Sequence, residues 1–203
     1  MTIGPGTEWS VPGLLPPDAP TFATDAALSA FVDARRRGGE PLPIVGLTGG
    51  TLFDTIGGSS VVGRLHTDRA RRYPVDVVRA DIDGTSRWFV ATLVARTRRW
   101  HDVVAVMNTP WVHGLRLGHR SHPGDALLDI IEGVGLRFDD LRRIVPRARH
   151  GAHLPHPKLR ETRIAAATWE FDRPRRLVID GQSAGPVRRL AVHVEPDALT
   201  VVA

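Results

Sequence analysis

Apolar residues recur along this chain with two different periods. From Asp25 to Arg37 (DAALSAFVDARRR), Leu28, Phe31 and Val32 fall at i, i+3 and i+4, which is one face of a helix. Thr24 or Asp25 can cap its start, Arg35–Arg37 suit the negative C-terminal end of its dipole, and Gly38-Gly39 ends it. Leu42–Leu47 reads as a short apolar strand, Thr48-Gly49-Gly50-Thr51 as a turn, and Leu52–Ile56 as a short helix closed by Gly57-Gly58. The pattern then becomes that of strands. Val75–Ile82 and Ser86–Ala95 flank Asp83-Gly84 as a hairpin, and Asp102–Met107 is a further strand. Ala126–Ile131 is apolar and too short for its period to separate strand from helix. Phe138–Arg147 predicts a helix with Asp139-Asp140 in its first turn and Pro146 limiting its length. Ile164–Phe171 is β.

The C-terminal stretch predicts strand, tight turn, strand, turn, strand. Arg176–Ile179 precedes Asp180-Gly181-Gln182-Ser183, then come Val187–Val194, Glu195-Pro196-Asp197-Ala198 and Leu199–Val202. Asp-Gly between β-rich runs is a strong hairpin signal, because Gly tolerates positive φ and Asp bonds its own backbone. Many short strands with regular turns imply a sandwich or an open barrel. Residues 1–22 hold five of the sixteen prolines and read as irregular.

Composition narrows the function classes. With 203 residues the chain can bury a proper core as one large or two small domains. There is no cysteine, hence no disulfide framework and no thiolate metal site. The pI is near 11.0, yet the net charge is only +5. The basic residues are arginines, apart from Lys158, in short groups such as Arg71-Arg72, Arg98-Arg99 and Arg188-Arg189, with few aromatics between them. That disfavours nucleic acid as the partner. No N-terminal basic segment leads into an apolar core, and no apolar run reaches the roughly 18–20 residues that span a bilayer. The expectation is a cytoplasmic protein that touches membranes at most peripherally.

Several residues suggest chemistry beside plainer roles. Asp180 can serve as a base towards a hydroxyl, or simply shape its hairpin. Gly49-Gly50-Thr51 before a short helix can hold a phosphate through backbone amides, or only turn the chain; no Lys follows, so it is no P-loop. His113, His119 and His122 form one cluster in sequence and His150, His153 and His156 another, open to a metal reading with Asp125 or to dispersed loop histidines. Trp88, Trp100, Trp111 and Trp169 lie in or beside strands, suited to lining a core or an apolar groove.

The order of these motifs resembles that of the diacylglycerol and sphingosine lipid kinases. That family ends in a DGE turn, a strand pair and Pro-x-Ala-Leu; here the turn is Asp180-Gly181-Gln182, and Pro196-Asp197-Ala198-Leu199 follows. Leu47–Ile56 (LTGGTLFDTI) is similar to the family's GTGND loop, with Gly50-Thr51 in place of Asn-Asp. Thr21–Phe31 lies where the family has GGDGT, and only Asp25 survives of it. Asn108 with Trp111, the run His122–Asp129, and Gly151-Ala152-His153 with Pro157 resemble three later segments.

The resemblance implies an α+β protein: a β-sandwich over 75–203, like the C-terminal domain of lipid kinases, preceded over 1–74 by a remnant of the α/β nucleotide-binding domain. It implies Asp180 as the catalytic residue, Asp25, Thr48, Gly49, Gly50 and Thr51 at the nucleotide, and Asp125 at a structural magnesium. ATP and Mg²⁺ are the cofactors if the protein is active. Gln182 lacks the carboxylate of the family's Glu, and the nucleotide domain is shortened. The reading is therefore a noncatalytic relative that binds a lipid, a nucleotide or a partner. The alternative is a lipid kinase whose phosphate site is atypical or completed by another chain. A homodimer or partner chain is expected to cover the apolar surface left by the missing half-domain.

Overall fold

In the computed structural model, which describes residues 9–58 and 64–203, strands carry most of the architecture. They are β1 (Val11–Pro12), β2 (Thr21–Phe22), β3 (Val45–Leu47), β4 (Arg71–Ile82), β5 (Thr85–Phe89), β6 (Thr92–Arg96), β7 (Val103–Met107), β8 (Trp111–Val112), β9 (Leu115–Arg116), β10 (Leu128–Gly133), β11 (Leu159–Ile164), β12 (Ala166–Ile179) and β13 (Gln182–Val202). Three α-helices accompany them among the described residues: α1 (Asp25–Arg37), α2 (Thr51–Thr55) and α3 (Phe138–Ala148). Residues 1–8 of the proline-rich N-terminus lie outside the described residues. The rest of it forms the short strands β1 and β2 and their linkers.

The large sheet runs β1-β4-β13-β12-β6-β7-β10-β11, with β5 on β4 and β3 on β13. All pairs are antiparallel except β3 with β13 and β2 with β3, which are parallel. The sheet curls on itself, so that Val78, Leu93, Val106, Ile130, Leu190 and Val192 from its two halves meet in one core. A second core lies where Leu28 and Val32 of α1 meet Val45, Leu52, Val77 and Val201. Each such fully buried side chain contributes about 1.5–3 kcal/mol. The protein thus has the expected α+β form, a β-sandwich preceded by a small α/β unit. Residue 74 falls inside β4, so the sandwich sheet begins before the boundary drawn at 74/75.

Helix α1 has the bounds its sequence predicts, and Thr24 is its cap: the Thr24 hydroxyl accepts from Ala27 N–H. Four details differ from expectation. Ser86–Ala95 is two strands, broken at Val90-Ala91, where the chain passes from the β4 side of the sheet to the β12 side. Ala126–Ile131 resolves into strand β10, which starts at Leu128. Helix α3 continues through Pro146 to Ala148, and the missing proline N–H deprives the Arg142 carbonyl of its donor four residues on. Glu195–Ala198 is a bulge within β13 rather than a turn between strands: the register shifts between Glu195 and Leu199, and Asp197 N–H donates to Asp76.

Candidate functional site

Asp180 and Gly181 form the two-residue hairpin loop between β12 and β13, both at positive φ (43° and 80°), as the Asp-Gly signal predicts. The Asp180 carboxylate does not serve that hairpin. It points inward and accepts from Val90 N–H (3.0 Å), Ala91 N–H (3.1 Å) and Thr92 N–H (2.5 Å). The Ser29 hydroxyl of α1 donates to it as well. The break between β5 and β6 is thereby explained. Three successive amides turn away from strand pairing to meet one carboxylate from 88 to 90 residues away. Asn108 holds the same segment from the other side. Its side-chain amide donates to Val90 O (2.8 Å) and Asp76 O (3.0 Å), and its N–H donates to Ala91 O (2.9 Å). Burial pushes the Asp180 carboxyl up to about 6, against the lowering effect of Ser29 and the amides; the nearby Asp25 charge pushes the same way as burial.

The structure brings Asp25 together with Gly50 and Thr51 but not as an open anion site. The Asp25 carboxylate accepts from Thr51 N–H (2.7 Å), Thr51 Oγ1 (2.6 Å) and Leu52 N–H (3.1 Å). The first amides of α2 are therefore taken by the protein's own carboxylate. The glycines follow from this contact. A Cβ at Gly50, whose φ is 102°, would lie 2.6 Å from Asp25 Oδ1, and one at Gly49 would lie 2.7 Å from Ala23 O. Thr48 donates its N–H to Phe22 O (2.9 Å), completing the β2–β3 pair.

Asp125 lies in the loop that leads into β10. Arg163 of β11 donates to its carboxylate and also reaches Asp129 at 3.6 Å. Burial raises the Asp125 carboxyl, and the Arg163 charge opposes that rise. Ser121 and Arg120 N–H complete the shell of Asp129.

A cavity of about 400 Å³ opens beneath α3. Leu141 and Ile144 of α3 form its roof; Val94, Ala105 and Ile131 of the sheet form its floor, and Trp100 stands at its rim. Two histidines interrupt the apolar lining: His113, which is exposed, and His153. The His153 side chain is buried at 2% exposure, and neither ring nitrogen has a hydrogen-bond partner among the described residues. Its ring stacks on His119 at 5.1 Å. Burial, aided by His119, pulls its pKa down to about 4, so it is neutral at pH 7.

No family model matches the chain, and no curated protein matches it significantly. Solved structures do. Two structures described as a diacylglycerol kinase from Bacillus anthracis str. Sterne match with TM-score 0.58 and 12% identity, over 78% of this chain and 69% of that one. A third, of a diacylglycerol kinase from the same source, matches with TM-score 0.52 and 14% identity, over 78% of this chain and 66% of that one. The fold is that of a diacylglycerol-kinase-like protein. At such identities the likeness is one of fold, and the residues have to be read on their own chemistry.

Within this lipid-kinase-like fold, the residues matched to a nucleotide and a magnesium ion do not fit those groups. The Thr51 and Leu52 amides that could meet a phosphate point at Asp25, and a like-charged phosphate there would compete with that carboxylate. The positive charge beside Asp125 comes from Arg163. Among the described residues no group of three or more His, Asp or Glu side chains is placed to hold a metal. The two sequence clusters of histidines disperse: His122 packs on Trp9, and His119 stacks on His153 from the other cluster. Of the four tryptophans suited to a groove, only Trp100 lines the cavity. Trp88 and Trp169 donate to Glu195 (2.9 Å) and Glu132 (2.6 Å) instead. Sequence reasoning missed Ser29 and Asp33, the polar pair four apart on the buried face of α1. Asp33 accepts from Trp88 N–H and pairs with Arg37 and Arg87. Their spacing, one turn apart beside Leu28 and Val32, was the available signal.

Proposed function

We propose that this lipid-kinase-like chain is a lipid-binding module without phosphotransfer of its own, and that a hydrocarbon chain occupies the cavity beneath α3 with its polar end at His153. The observation that carries this reading is a neutral, buried imidazole, with no hydrogen-bond partner among the described residues, in a cavity whose other lining is apolar apart from the exposed His113. An unsatisfied buried polar group costs about 1–3 kcal/mol, and a ligand that supplies a hydrogen bond recovers part of that cost. The cavity volume lies within the roughly 300–1,000 Å³ range of small-molecule sites. A neutral imidazole offers one donor and one acceptor, which suits a hydroxyl or ester head. It gives no charge to a buried carboxylate, so a neutral acylglycerol fits better than a fatty-acid anion.

The absence of phosphotransfer rests on other residues. Transfer from ATP needs clamps on its phosphates and on magnesium. The amides at Thr51 and Leu52 are occupied by Asp25, and Gln182 offers no carboxylate at the turn. The raised pKa of Asp180 would suit a base, but its oxygens are enclosed by three amides and Ser29.

A fluorescent monoacylglycerol analogue titrated into the purified chain tests the binding. Saturable binding that weakens about tenfold in His153→Leu, which removes one hydrogen bond and keeps the apolar wall, is expected. Absence of saturable binding, or equal binding by the variant, overturns the reading. Incubation with labelled ATP, magnesium and diacylglycerol is expected to yield no phosphorylated product.

A further inference from the structure

Four of the seven large exposed apolar side chains lie on the segments that border this cavity. Phe138 is 73% exposed, Val134 66%, Trp100 37% and Val145 36%. Three segments carry them: the turn after β6, the loop after β10, and α3. These segments are joined, since Leu136 N–H donates to His101 O (2.8 Å) and Trp100, Leu136 and Val145 border the same cavity. Trp100 holds φ 59°, a conformation unfavourable for a bulky residue. The turn maintains it through Trp100 N–H to Thr97 O (3.1 Å) and Asp102 N–H to Thr97 Oγ1 (3.0 Å). Strain is thus spent on keeping an indole at the rim rather than in the core.

Charge surrounds this apolar patch with one dominant sign. Arg98 and Arg99 of the same turn are exposed and, with Arg173 and Arg175, line an open groove of about 640 Å³ next to Trp100 in the chain. His101, Asp102 and Asp172 also border that groove. Arg142 lies over the Phe138 ring at 5.8 Å, and Arg96 lies over Trp100 at 4.2 Å. Two of the three acidic groups on the patch side are already engaged. Asp102 accepts from Gly135 N–H and His101, and Asp140 pairs with Lys158 at 2.6 Å; Asp139 remains exposed.

We propose that this face docks on an anionic phospholipid bilayer, with Trp100, Val134 and Phe138 at the level of the acyl-chain boundary and the Arg98–Arg99 groove on headgroup phosphates. The proposal rests on the lipid-binding reading and says where the lipid comes from. An apolar tip ringed by arginines is the combination that holds peripheral proteins at such surfaces, and neither part suffices alone. Tryptophan is a favoured residue at the membrane interface. Among the described residues no helix is long and apolar enough to cross a membrane, so the attachment is lateral.

Cosedimentation with vesicles tests it. The chain is expected to bind equimolar phosphatidylcholine–phosphatidylglycerol vesicles, to bind phosphatidylcholine vesicles far more weakly, and to be released by salt. Arg98→Gln with Arg99→Gln is expected to weaken binding about 30-fold, taking each arginine at about fivefold. Phe138→Ser, at an exposed site that leaves the core intact, is expected to weaken it about tenfold. The same variants keep wild-type affinity for the soluble monoacylglycerol analogue, because none of these three side chains lines the cavity. Equal binding to both vesicles, or variants that bind vesicles as wild type does, overturns the docking surface. Analogue binding without vesicle binding also overturns it and leaves the cavity reading standing. Vesicle binding with the stated salt and variant sensitivity supports it even if the analogue fails. Salt-sensitive binding to duplex DNA with none to either vesicle overturns it in favour of a nucleic-acid surface.

Discussion

Asp180 and His153 are both buried titratable groups from the second half of the chain, and they live under opposite conditions. Asp180 is met from within: three amides and a hydroxyl use its oxygens, and a stretch of strand pairing between β5 and β6 is given up for it. His153 has the stacked His119 ring beside it but no hydrogen-bond partner among the described residues, and it faces a cavity. A polar group whose partners are all internal is part of the fold's own support. One left unpartnered beside an apolar cavity makes sense when a ligand supplies the missing partner. Functional suspicion therefore moves from the residue that the sequence highlights to one that it only hints at.

Truncating the two side chains gives the widest separation. Asp180→Ala strands three buried amides at once and is expected to cost about 4 kcal/mol or more, enough to unfold a marginal domain. Asp180→Asn keeps one acceptor but turns an NH₂ towards donors, and is expected to lose about 1–3 kcal/mol. His153→Leu removes an unsatisfied polar group and adds apolar contact, so it is expected to hold or gain about 1 kcal/mol. Urea unfolding measures all three. A silent Asp180→Asn would return Asp180 to the status of a simple turn residue.

Acidity separates the two with opposite signs. Asp180 has its folded pKa raised to about 6 from the ordinary 3.8, so its ionisation opposes folding at neutral pH. That penalty is relieved as pH falls through 6 towards 4. His153 has its folded pKa lowered to about 4 from 6.5. Its contribution is complete above 6.5 and is lost as pH falls through that window. Each contribution is on the order of 3 kcal/mol, and in the wild type they largely cancel between pH 4 and 6. Relative to wild type, melting temperatures across that range are expected to rise on acidification for His153→Leu and to fall for Asp180→Asn. Parallel profiles for the two variants would break the comparison.

The contrast also marks what the chain's residues make legible. Helix α1 and the Asp83-Gly84 and Asp180-Gly181 hairpins follow from local signals: a Thr cap, Gly after the last turn, and positive φ at Asp-Gly; the sandwich preceded by an α/β unit follows from the resemblance, since strand spacing alone left a sandwich or an open barrel. The break at Val90-Ala91 does not, because Phe89-Val90-Ala91-Thr92 is an ordinary strand sequence and the carboxylate that diverts its amides is distant in the chain. The capture of Thr51 by Asp25 is hidden in the same way, although both residues are conspicuous by resemblance. The cavity is least visible, since its walls come from β6, β7, β10 and α3, and the feature that makes His153 matter is that no group among the described residues bonds its ring nitrogens.

Asp125 is an intermediate case that sharpens the rule. Its carboxylate is buried and would need a counter-charge, and Arg163 supplies one from inside the chain. Arg163→Gln is expected to cost about 2 kcal/mol, less than the roughly 3–5 of a fully enclosed pair because the guanidinium is partly exposed. The wild-type melting temperature is expected to be unchanged by magnesium or by a chelator. A rise with magnesium would mean that the cation belongs to the native site and that Arg163 only shares it.

The smallest expected effect lies at Gln182, one residue past the turn, where the side chain is exposed and borders a shallow recess of about 90 Å³ with Asp33 and Arg87. Gln182→Glu restores the carboxylate of the lipid-kinase turn at nearly constant volume. Asp33 is already paired with Arg37 and Arg87, so the added charge meets a locally balanced surface, and stability is expected to stay within about 0.5 kcal/mol. Phosphorylation of diacylglycerol is also expected to stay absent. A turn carboxylate cannot free the α2 amides from Asp25 or open the enclosure of Asp180. ATP-dependent product from Gln182→Glu would reverse the comparison with which the two buried groups began. Asp180, with its raised pKa, would then be a base waiting for its partner carboxylate, and the His153 cavity would become the acceptor pocket of an enzyme one substitution from activity.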